Sequence, residues 1–95
     1  MIAGKETRMH DWAEGDDLAA LYVSRYGTTG LPYSVETIAT DRGIQPGSFD
    51  MRVRNFKAIE GEGRLTNYAK QTESVYQRFR LKSMEELRRI AFPEL

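Results

Sequence analysis

Arg54 and Asn55 stand side by side in the stretch GSFDMRVRNFKAI, residues 47–59. Their side chains are the two that pair bidentately with base edges in the major groove, arginine with guanine and asparagine with adenine. On a wheel of about 100° per residue, Phe49, Val53 and Phe56 share one face, with Ile59 near its edge. Asp50, Met51, Arg54, Asn55 and Ala58 share the opposite face, flanked by Ser48 and Arg52. A plain amphipathic surface helix has the same wheel. The segment ahead of it argues for a reading helix instead.

Other residues could do chemistry only in company they lack. Asp16 and Asp17 are adjacent carboxylates. Neighbours on a helix point about 100° apart, and no third ligand lies nearby, so they read as solvated charges. His10 is the single histidine, so the serines lack a general base and an HNH nuclease lacks its histidines. The chain contains no cysteine, which excludes disulfides and thiolate metal sites. EGEGR, residues 60–64, lacks the spacing of a dinucleotide loop. The expectation is therefore no catalytic residue, no metal, no cofactor, no small-molecule substrate and no enzyme activity.

The elements that must position residues 47–59 read as follows. SVETIATDRG, residues 34–43, predicts a short helix from Val35 to Arg42, capped by Ser34. Gly43 ends it, because glycine takes the left-handed conformation a helix terminus asks for. Ile44 and Phe49 fill the space under the turn, and Ala39 lets the second helix approach closely. Pro46 suits a first helical turn and Ser48 a cap. Together they predict a helix-turn-helix. Ahead of it, Asp11 to Glu14 suits a capping box for a helix reaching Tyr26, with Trp12, Leu18, Leu21, Tyr22, Val23 and Tyr26 buried. Residues 1–10 read as a flexible arm.

Behind the helix-turn-helix, residues 60–64 predict a turn, with a short wing near 61–66. Thr72 to Leu81 predicts a fourth helix with Val75, Tyr76 and Phe79 inward. Ser83 to Glu86 is a capping box for a last helix that Pro93 stops. The fold expected is mainly all-α, a small helix-turn-helix bundle of four to five helices, with the DNA-binding domain at 11–82 and a terminal helix at 83–95. That helix would fold back, make a dimer contact or lead into a further domain.

The formal net charge is zero, but its distribution is uneven. Residues 1–33 hold three bases against five acids, and residues 52–82 hold eight bases against three acids. A basic face can meet phosphates while an acidic face turns away. No apolar run approaches a membrane span, and the N-terminus lacks a signal-peptide core, so a cytoplasmic protein without a membrane role is expected.

The chain resembles a helix-turn-helix module at the N-terminus of bacterial and phage endonucleases of the restriction or HNH type. Trp12-Ala13-Glu14, GSFDMRVRNF (47–56) and RLTNYAKQTESVYQRF (64–79) carry the resemblance, which covers about Trp12 to Phe79. Arg64 stands where the module has glycine, and Tyr76 where it has tryptophan. The resemblance implies target-site binding without cleavage, in a nuclease arm, a replication initiator or a repressor.

The expected partner is double-stranded DNA. Ser48, Met51, Arg52, Arg54 and Asn55 would enter the major groove, and Gln45, Lys57, Arg64, Asn67 and Lys70 would meet the backbone. A homodimer would place half-sites about one helical turn apart. The alternative is a protein-interaction module of the same fold, which the outward Asp50 favours because it repels phosphate.

Overall fold

The structure, a computed structural model, describes residues 11–62 and 68–95. Five helices and no strand occur among them: α1 (Glu14–Tyr26), α2 (Val35–Asp41), α3 (Pro46–Glu62), α4 (Lys70–Phe79) and α5 (Met84–Ala91). The protein is all-α. The arm expected at 1–10 and the tip of the expected wing, with Arg64 and Asn67, lie outside the described residues.

α1 is the hub, and α3, α4 and α5 all pack against it. Its residues Asp16 to Val23 are all buried. DLAALYV leaves no solvated stripe, and a helix apolar all round belongs in the middle of a bundle. Phe49, Val53, Phe56 and Ile59 of α3 meet it from one side, and Leu87, Ala91 and Phe92 of the C-terminal segment from another. Tyr22 lies edge-on to Phe92, with ring centres 5.6 Å apart. α5 therefore folds back onto the domain.

The α2–α3 turn is a Schellman closure. Gly43 N donates to the Thr40 carbonyl at 3.0 Å, and Ile44 N to the Ala39 carbonyl at 2.9 Å. Gly43 takes φ +73°, a region costly for any residue with a Cβ. Ile44 and Ala39 are both buried, which seats the turn against the core.

Several expected boundaries move. α1 starts at Glu14 behind Ala13, with Asp16 in place of Glu14 closing the capping contact through the Ala13 N–H. A residue three places on from the cap meets that amide, and Asp16 occupies the place. α3 starts at Pro46, so Ser48 sits within its first turn and not at the cap. Proline at the first position sacrifices only an amide that lacks a helical partner. α3 also runs through Glu60, Gly61 and Glu62, where a turn was expected. Ile59 is buried and Glu60 is ion-paired to Arg25 at 2.9 Å, which holds that last turn to α1. α4 spans Lys70–Phe79, starting two residues before the expected Thr72.

Candidate nucleic-acid interface

α3 presents an exposed strip away from α1. Gln45 just ahead of it, then Ser48, Asp50, Met51, Arg54 and Lys57, are exposed, and Asn55 is half-buried. Met51 is 59% exposed, unusual for a large apolar side chain. Arg54 Nε lies 3.0 Å from Asp50 Oδ2, one helical turn away. The Arg54 and Asp50 side chains are 72% and 53% exposed, so the pair stands in solvent. Lys70 is exposed at the first position of α4. Of the ten expected residues six are exposed, Gln45, Ser48, Met51, Arg54, Lys57 and Lys70, and Asn55 and Arg52 are half-buried.

Arg52 is not on this strip. Its guanidinium turns inward, where Nη1 contacts Asp17 Oδ1 and donates to Thr72 Oγ1 at 2.7 Å. The guanidinium carbon lies 3.9 Å from the centre of the Trp12 ring. The physical reason is register. Arg52 is three residues after Phe49, four before Phe56 and seven before Ile59, all buried, so its Cβ projects from the apolar side of α3. A cation there requires a counter-charge, and Asp17 supplies it.

Asp16 and Asp17, expected as solvated, are buried and paired. Asp17 is fully buried and receives Gln71 Nε2 at 2.7 Å on one oxygen, with Thr72 Oγ1 at 3.1 Å and Arg52 on the other. Gln71 Nε2 also donates to the Trp12 carbonyl at 2.9 Å. Asp16 accepts from Arg42 Nη1 at 3.1 Å, and Arg42 Nη2 donates to the Ala91 carbonyl at 2.6 Å. Neighbouring carboxylates diverge around a helix axis, and here the divergence is used. One reaches Arg42 at the end of α2, the other Arg52 inside α3. Each of the two helices flanking the turn is thus tied to α1 by its own arginine. No buried side-chain N or O atom among the described residues lacks a partner.

The remaining polar side chains mainly brace helices. Glu60 receives Arg25 Nη2 at 2.9 Å and Nε at 3.3 Å. Burial disfavours the Arg25 charge, and the bond and charge of Glu60 outweigh it, so its pKa is raised. Tyr22 donates to the Thr29 carbonyl, and burial pushes its phenol up. Tyr33 donates to Glu94 Oε2 at 3.2 Å beside the Phe92 ring. Two pockets of about 240 and 210 Å³ flank Phe92. Glu85, Arg88, Arg89 and Leu95 complete the first, and Tyr33, Ile38, Asp41, Arg42 and Glu94 the second. Among the described residues no three His, Cys, Asp or Glu side chains converge as a metal site.

What these observations define is an all-α bundle in which a short helix, a tight turn and a longer helix with a polar outer strip are braced from behind. No known protein family, curated protein or solved structure matches the chain. No helix among the described residues is long and apolar enough to cross a membrane.

Proposed function

We propose that the chain is a sequence-specific double-stranded DNA-binding module that lays α3 in the major groove. The observation that carries the reading is the pairing of a Schellman-closed turn with a helix whose outer strip offers Ser48, Met51, Arg54 and Asn55. Arginine and asparagine match guanine and adenine edges, and a methionine suits the thymine methyl. Among the described residues Lys57 and Lys70 carry no ion pair, and in this reading they meet phosphates, which fix register. The module would serve a nuclease, a replication initiator or a repressor of a phage or mobile element. It does so inside the cell, alone or as a dimer, and without a catalytic role of its own.

The test is selection from a random duplex pool, with the winner's affinity measured at two salt concentrations. A recovered motif supports the reading. Arg54→Ala or Asn55→Ala then costs about 1–3 kcal/mol and relaxes one position, whereas Lys70→Ala weakens all sequences alike. An Asn55→Ala protein that discriminates as before removes that residue from the site. A second reading, a protein-interaction surface, draws on the neutral Asp50–Arg54 pair and the exposed Met51. Absence of any enriched motif, with binding to a protein partner insensitive to salt between about 50 and 200 mM, would favour it.

A further inference from the structure

An acid on the outer strip of a DNA-reading helix needs an explanation, because it repels the phosphates on either side of the groove. Asp50 is that acid. It is one turn ahead of Arg54, and its Oδ2 lies 3.0 Å from Arg54 Nε. Nε is the Arg54 nitrogen nearest the carboxylate, and among the described residues neither terminal amino group of Arg54 makes a hydrogen bond. Those amino groups form the end of the guanidinium fork, the edge that spans guanine O6 and N7. The contribution of such an exposed pair to folding is small, because both charges are solvated. Its effect on Arg54 is larger in kind. A long arginine loses side-chain freedom on binding, and a side chain already held in one orientation loses less. The pair is also neutral, so Arg54 gains little from a phosphate, whereas guanine rewards its directed hydrogen bonds.

Resting on the DNA-binding reading above, we infer that Asp50 is a specificity-determining positioning residue: it holds Arg54 end-on for guanine and suppresses its use as a phosphate clamp. Asp50 itself touches no base. Removing it frees the guanidinium and adds one unit of positive charge to the reading strip, so Arg54 becomes an indiscriminate contact.

The experiment repeats the duplex selection with wild type, Arg54→Ala, Asp50→Ala and Asp50→Glu. Folding of each variant is checked by circular dichroism, and both positions are exposed. Arg54→Ala identifies the guanine that Arg54 reads. Asp50→Ala is expected to flatten the preference for that same guanine by about tenfold, while affinity for unrelated duplex rises and its salt dependence steepens by about one unit. Asp50→Glu, which keeps a carboxylate one turn away, is expected to restore part of the preference. The inference is overturned if Asp50→Ala leaves the guanine preference intact. It is also overturned if the variant relaxes a cytosine at another position instead, because Asp50 would then be reading that base. If wild type enriches no motif at all, the DNA-binding reading itself falls, and this inference with it.

Discussion

Asp17 receives hydrogen bonds or an ion pair from three side chains on two other helices, and its own side chain is fully buried. A buried charge with partners is tolerable, and the same charge without them is not. Arg52→Ala should therefore destabilise the fold by about 3 kcal/mol, because it strands Asp17. Replacing both partners by apolar residues of similar size, Asp17→Leu with Arg52→Met, should cost much less than either single truncation. Urea denaturation of the singles and the double checks this, and equal losses for all three would refute it. The pair was legible in the sequence in principle. Arg52 lies on the same side of the wheel as Phe49, Phe56 and Ile59, and a strict angular reading places it inward. Asp17 was hidden for a different reason: its burial follows from α1 being central, which no local pattern around two aspartates reveals. The outward positions of Ser48, Met51, Arg54, Asn55 and Lys57 were readable because exposure follows helical periodicity.

At the scale of elements, turns and caps were the most readable parts, because their chemistry is local. Gly43 and Ser83 both act where the spacing predicted. A Cβ at Gly43 would meet nothing within 4 Å, so Gly43→Ala tests backbone strain alone at φ +73°. The expected loss is about 1–2 kcal/mol, read as a lower thermal midpoint, with the Schellman turn weakened. Ser83 Oγ accepts from Glu86 N at 3.2 Å, and Glu86 Oε1 accepts from Ser83 N at 3.0 Å. The Ser83 amide holds the Glu86 carboxyl below its ordinary value of 4.5. A lowered folded-state pKa stabilises above the unfolded value and is lost as pH falls through the folded one. The α5 cap should therefore be intact above the ordinary carboxyl value of 4.5 and should loosen as pH falls below it through the lowered folded-state value. An amide NMR titration should show Ser83 N–H following Glu86, and Glu86→Gln should abolish that dependence. The far end of α3 was less legible. EGEG reads as a turn from glycine content, yet helix continues through Glu62. Tertiary anchoring by Ile59 and by Glu60 with Arg25 outweighs the local glycine penalty, which is only about 1 kcal/mol.

For the whole molecule, the two aspartate–arginine ties make α2, the turn and α3 one body with α1, so a duplex should dock on a preformed surface. Trp12, the single tryptophan, lies under the Arg52 guanidinium and stacks on Phe49, with ring centres 6.3 Å apart. It is therefore a reporter on the inner side of α3, opposite the proposed reading strip. Saturation with the selected duplex should leave Trp12 emission nearly unmoved, whereas Arg52→Met should shift it in the free protein. A large shift on binding would mean that α3 re-seats against α1, and the picture of a preformed surface would fail. The number of cations left to meet phosphates then sets how binding answers to salt. Arg54 is offset by Asp50, and Arg42, Arg52, Arg25 and Arg78 are occupied within the fold. Among the described residues of α3 and the start of α4 that leaves Lys57 and Lys70 as cations for phosphates, to which the sequence reading adds Arg64. Two or three neutralised phosphates predict a slope of log K against log salt of about −2 to −3 for one chain, and about −4 to −6 for a dimer. Affinity measured across a salt series on one half-site and on the full selected site separates these cases. A slope near zero with a recovered motif would mean that base contacts alone hold the complex. That outcome would remove Lys57 and Lys70 from the interface while leaving Arg54 in it.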